Sequence, residues 1–89
     1  MALFKTGQVV ATPTALATCE KLAVSPATLL NRHTSGDWGD LDASDVKANI
    51  FAIQHDLRIL SAYKVQNEKF YVITEADRSS TCLLLAEDY

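Results

Sequence analysis

The spacing of apolar residues changes once along this chain, near Arg58. Before that point large apolar side chains recur every three or four residues, as on one side of a helix; after it they alternate, as along a strand. Helices followed by strands is the order of an α+β layer, not of alternating βα units. At 89 residues there is room for one core, because independent domains need on the order of 50 to 100 residues each. Residues 1–89 are therefore expected to form a single domain.

Thr12-Pro13 supplies a capping residue and a proline at the first helical position. It predicts a helix over 13–23 with Leu16, Cys19, Leu22 and Ala23 on one face. Ser25-Pro26 repeats the signal, so Ala27 to His33 reads as a second short helix with Leu29 and Leu30 inward, stopped by Ser35-Gly36. Two glycines in Gly36-Asp37-Trp38-Gly39-Asp40 favour a loop. A third helix, capped by Asp42 or Ser44, carries Val46, Ile50, Ile53 and Leu57 at i, i+4, i+7 and i+11. Lys47, Asn49, Gln54 and Asp56 fall opposite, which places Ile50 and Ile53 against the sheet.

In the strand half, Ile59, Ser61, Tyr63 and Val65 alternate with Leu60, Ala62 and Lys64, and Gln66-Asn67-Glu68 turns the chain into Lys69 to Thr74. That is a hairpin. Thr81 to Leu85 is apolar on both sides and reads as a further strand, central or covered by helices. Residues 4–11 read as a short strand or an extended arm with a bulge at Gly7. The expected fold is α+β, with two or three N-terminal helices packed on one face of a small antiparallel sheet of about three strands.

Composition narrows the function classes. Eight basic residues lie scattered among eleven acidic ones, for a formal charge of -3, whereas a domain that grips nucleic acid by its phosphates is basic on one face. Nucleic acid is not an expected partner. Gly7, Gly36 and Gly39 form no phosphate-binding loop, and no Cys-x-x-Cys or His-x-x-x-His pair is present. No cofactor and no metal are expected. Cys19 and Cys82 are expected to be reduced thiols. Residues 1–11 hold one basic residue, Lys5, and no long apolar core, so they do not read as a signal peptide. No stretch approaches the ~20 apolar residues of a membrane span. The expected setting is cytoplasmic, with no membrane partner.

Three strings, Arg32-His33-Thr34-Ser35-Gly36-Asp37-Trp38-Gly39-Asp40, Arg58-Ile59-Leu60-Ser61-Ala62-Tyr63 and Ile73-Thr74-Glu75-Ala76-Asp77-Arg78-Ser79, occur in this order. Together they resemble a family of small proteins carried on plasmids and other mobile elements, some of which bear restriction-modification names. The resemblance covers about Thr12 to Tyr89. Departures are the lack of a glycine near Gln54 to Asp56, Cys82 in place of threonine, and Ala86 in place of proline. The resemblance implies an accessory protein of a mobile element, of a kind that modulates host defence, and it brings no catalytic residues with it.

Roles must therefore come from the residues. His33, Asp37 and Asp40 could supply imidazole and carboxylate ligands to a metal, but they lack ligand spacing. His33 is either a last-turn residue favoured by a helix dipole or half of an acid-base pair with Glu75, with Arg78 neutralising a phosphate. Asp37 is a turn former or a binding residue; Trp38 is a core plug or a partner anchor; Asp77 and Arg78 are an ion pair or a displayed binding group. Arg78 is expected to pair with Asp37 or Asp77, with Trp38 beside it.

Three functional readings follow. The first is a non-enzymatic module that binds a host protein and modulates host defence. The second is a small metal-independent ribonuclease, since helices before an antiparallel sheet is similar in order to the barnase and RelE type. The third is a homodimer paired through an exposed strand edge.

Overall fold

A computed structural model describes residues 2–89. Three helices lie on one face of a four-stranded sheet. The elements, in chain order, are β1 (Gln8–Ala11), α1 (Pro13–Leu22), α2 (Pro26–Thr34), α3 (Ala43–His55), β2 (Ile59–Val65), β3 (Glu68–Thr74) and β4 (Ser80–Leu85), followed by a 3-10 turn, Ala86–Asp88. This is the expected α+β arrangement with one strand added. β2, β3 and β4 are antiparallel, as expected. β1 lies parallel to β4, from Gln8 beside Ser80 to Ala11 beside Leu83, so β4 is central and the order is β1-β4-β3-β2.

Local chemistry accounts for the helix ends. The Thr12 hydroxyl accepts from the Ala15 amide ahead of Pro13, and the Asp42 carboxylate accepts from the Asp45 amide at the start of α3. Both bonds satisfy first-turn N–H groups that have no partner within the helix. α1 and α3 end on left-handed residues, Ala23 and Asp56.

The core sits between sheet and helices. Tyr63, Phe70, Val72, Leu83 and Leu85 pack against Ala15 and Cys19 of α1 and Leu29 of α2. A second cluster joins Trp38, Ala52 and Ile59, flanked by Phe4, Leu41, Val46 and Ile53. Two helical faces differ from the expected ones. On α1, Ala15 and Cys19 are buried while Leu16 stands in water. On α3, Asn49 and Ala52 are buried, Val46 and Ile53 are partly covered, and Ile50 and Leu57 are exposed.

Asn49 explains the rotation of α3. Its amide donates to the Leu60 carbonyl (2.6 Å) and its oxygen accepts the Leu60 N–H (3.1 Å). A side-chain amide thus pairs with the outer edge of β2 as a neighbouring strand would. The loop before α3 continues the same edge. Ala62 donates to the Trp38 carbonyl (3.1 Å), the Asp40 N–H donates to the Ala62 carbonyl (2.7 Å), and the Asp40 carboxylate accepts the Lys64 N–H (2.7 Å). This approach requires glycine at position 39, where φ is +74 and a Cβ would overlap the Ala62 carbonyl and the Tyr63 ring.

The opposite edge is left open. Gln8 donates to the Ser79 carbonyl and Thr12 to the Leu83 carbonyl, so in the parallel ladder Gln8, Val10 and Thr12 face β4. Val9 and Ala11 therefore turn their N–H and C=O groups outward, and among the described residues these bond to nothing.

Candidate functional site

The three strings of the sequence converge beneath α2, but as a buried polar chain and not as an open site. His33 is fully buried in the last turn of α2. Its Nδ1 lies 2.6 Å from the Ser61 hydroxyl of β2 and its Nε2 2.9 Å from the Thr74 hydroxyl of β3. Thr74 lies 2.7 Å from the Thr81 hydroxyl of β4, which donates to the Thr6 carbonyl at 2.9 Å. Ser61, Thr74 and Thr81 are themselves fully buried.

The last link fixes the direction of the others. A hydroxyl has one proton, and that of Thr81 is held on the Thr6 carbonyl. Thr74 must then donate to Thr81, which leaves the Thr74 oxygen to accept from His33 Nε2–H. Burial pulls the His33 pKa down to about 4, so the ring is neutral near pH 7 and its Nδ1 accepts from Ser61. The chain therefore runs one way, Ser61 to His33 to Thr74 to Thr81 to the Thr6 carbonyl, and each proton has one place. A neutral, buried imidazole cannot serve as the dipole-favoured cation expected of a last-turn histidine.

Trp38 is a core plug. It is buried, nearly parallel to the Phe4 ring at 6.3 Å, and meets His33 edge-on at 6.0 Å. Phe4 also meets His33 edge-on at 5.2 Å. Two aromatic rings thus shield the imidazole from water.

Arg78 is not paired with Asp37 or Asp77, which corrects the expected ion pair. Its guanidinium donates to four carbonyls, those of Ala52 (3.0 Å), Leu57 (2.7 Å), Glu75 (3.2 Å) and Ala76 (3.1 Å). Ala52 lies in the last turn of α3, its carbonyl also accepting the Asp56 and Leu57 amides, and Leu57 lies just past the helix end, where the helix dipole favours a cation. Arg78 itself has φ +61, a conformation that costs a non-glycine residue about 1 kcal/mol.

The carboxylates find other partners. Asp37 is gripped by Arg32 at 2.7 and 3.2 Å, and this contact holds its carboxyl below the usual range. Asp37 also accepts the Gly39 amide, so it does form the expected turn. Its carbonyl takes the Tyr63 hydroxyl at 2.6 Å, and burial pushes that phenol up to about 12. Arg32 stacks over the Tyr63 ring. Asp77 is lowered by the Ser79 hydroxyl and amide, which close the β3–β4 turn. Glu75 faces water with Arg58 at 3.9 Å, a distance at which an exposed pair contributes little. His33 and Glu75 are not brought together, because both His33 nitrogens are engaged inside while the Glu75 carboxylate points out.

Ser61, Thr74 and Thr81 are the residues that sequence reasoning missed. Their signal was present: three hydroxyl residues stand at inward positions of three apolar strands, and buried hydroxyls require partners.

Among the described residues no buried side-chain nitrogen or oxygen lacks a partner, no pocket opens, and no three His, Cys, Asp or Glu side chains converge. Cys19 and Cys82 are free, with both thiols raised by burial. No helix among the described residues is long and apolar enough to cross a membrane. Comparisons with protein-family models, with curated proteins and with solved structures find no match, so this chain's function must be argued from its own residues.

Proposed function

We propose that the chain is a non-catalytic protein-binding module, an accessory of a mobile element that acts in the cytoplasm on a host protein, with host defence as its setting. The mobile-element part rests on the three strings of the sequence. The binding part rests on one observation, the outer side of α3. Ile50 and Phe51, with Leu57 just past the helix end, are each between 47% and 52% exposed. Phe51 is stacked on His55 at 4.0 Å, one turn along the helix. Large apolar side chains grouped on a surface mark contact sites.

The ribonuclease reading draws no comparable support. It needs an accessible imidazole beside a carboxylate, and His33 is enclosed by Phe4, Trp38 and two hydroxyls.

The test is affinity capture from host lysate with the wild-type chain and with an Ile50→Lys/Phe51→Lys variant. Both positions are exposed, so the variant should melt within a few degrees of wild type. A host protein retained by the wild type and lost by the variant is the expected result. Identical captures would remove the α3 surface from the proposal. RNA cleavage that disappears in both His33→Ala and Glu75→Ala would replace the proposal with the ribonuclease.

A further inference from the structure

From the unequal edges of the sheet we infer that β1 pairs antiparallel with β1 of a second copy, making a two-fold dimer with one continuous eight-stranded sheet. This inference is independent of the α3 surface.

The open edge presents two N–H and two C=O groups, at Val9 and Ala11. With Val10 on the two-fold axis, Val9 faces Ala11 of the second copy and the reverse. Each such pair exchanges two hydrogen bonds, so all the outward groups of both strands are satisfied. The ladder also ends where it must. Gly7 leaves the strand at φ +62, and Pro13 has no N–H to offer.

The side chains permit self-pairing. Gln8-Val9-Val10-Ala11 has no charge, so the two-fold brings no like charges together and desolvates none. Val9 and Val10 are 48% and 40% exposed, on opposite faces of the sheet; Val10 would gain cover from its counterpart and Val9 from Ala11 of the second copy.

The closed edge limits the assembly. β2 cannot accept a strand while Asn49, Trp38 and Asp40 occupy its outer groups. With one open edge per chain, pairing closes at two copies and does not grow into a filament. A seam of one short strand lies below the area of permanent dimers, so association should depend on concentration.

The experiment is sedimentation of the full chain from about 10 μM to about 1 mM, with three variants. Val9→Pro removes an outward N–H and leaves the ladder to β4 intact. Val10→Lys and Val10→Glu each set like charges across the axis. Wild type should pass from monomer to dimer over this range, each variant should raise the dissociation constant at least tenfold, and an equal mixture of Val10→Lys and Val10→Glu should recover dimer. A wild type that stays monomeric throughout would overturn the inference. A dimer indifferent to these variants, or a mixture no better than its components, would overturn it as well. If Val9→Pro fails to fold, the two Val10 variants and their mixture decide alone. A monomeric chain that loses a captured host protein on Val9→Pro would assign the edge to another occupant, again overturning the inference.

Discussion

Beneath α2 the protein buries a row of polar groups, whereas along α3 it leaves large apolar side chains in water. Each region inverts what residue type alone would suggest, for opposite reasons. Under α2 the inward positions of three adjacent strands carry hydroxyls, Thr74 directly beside Thr81 and Ser61 level with Val72, and one imidazole bridges Ser61 to Thr74, so every desolvated group is bonded. On α3 a single bonded pair, Asn49 with the Leu60 peptide, sets the rotation of the helix and carries Ile50 outward. A polar group with converging partners can therefore outrank an apolar stripe in deciding which way an element faces.

The strongest way to break this comparison is to disturb the loop that encloses the polar row. Gly39→Val should destabilise the fold by about 4 kcal/mol or more, because φ is +74 and the new side chain would meet backbone. Urea unfolding measures it, and a loss below about 1 kcal/mol would mean that the loop does not lie against β2. His33→Ala strands the Ser61 and Thr74 hydroxyls and opens a void, at a cost of about 3 to 4 kcal/mol. A smaller cost, by the same measurement, would show that water replaces the ring easily.

Acidification tests the same ring without mutation. His33 has a folded-state pKa of about 4 against 6.5 for a free histidine. Between those values the unfolded chain binds a proton that the folded chain refuses. Stability contributed by His33 is therefore complete above pH 6.5 and falls with pH, by about 3 kcal/mol on reaching pH 4. Urea midpoints taken across that window should fall steadily; a flat profile would mean that the ring is hydrated in solution.

Arg78→Ala should cost about 2 kcal/mol, since it removes a charged donor from the carbonyls that end α3 while relieving no repulsion. Thermal melting gives the value, and hydrogen exchange should show the last turn of α3 opening first. The smallest effect should be on α3 itself. Ile50→Ala should change stability by under about 0.5 kcal/mol and Ile53→Ala by about 1 to 2 kcal/mol. Equal effects would return α3 to the rotation that its apolar spacing suggests.

Much of the architecture was legible in local signals. Thr12-Pro13 and Ser25-Pro26 start α1 and α2, and the period-2 alternation from Ile59 onward specifies the β2–β3 hairpin, because capping and pleat depend on neighbours in the chain. Non-local choices were not legible. Residues 8–11 could not announce a parallel partner at 80–83. The face of α3 depended on a peptide group eleven positions beyond Asn49. Of the candidate site, the turn role open to Asp37 and the core-plug role open to Trp38 were readable, but Arg78 was misjudged. Counting carboxylates in the sequence overlooks backbone carbonyls as acceptors, and those of Ala52 and Leu57 come within reach only because α3 stops beside the β3–β4 turn.

The parallel pairing of β1 with β4 also sets a timetable. Synthesis delivers β1 before the three helices and the other strands, and its partner residues 80–83 only after all three helices, β2 and β3. Contacts so distant along the chain form late, since the intervening chain must be ordered before they are rewarded. The β2–β3–β4 meander can assemble from near neighbours, but the Thr81 hydroxyl cannot reach the Thr6 carbonyl until the arm docks. Until residues 80–83 leave the ribosome the Val9-Val10 stretch therefore lacks its partner strand, and its apolar backbone edge stays open to other contacts.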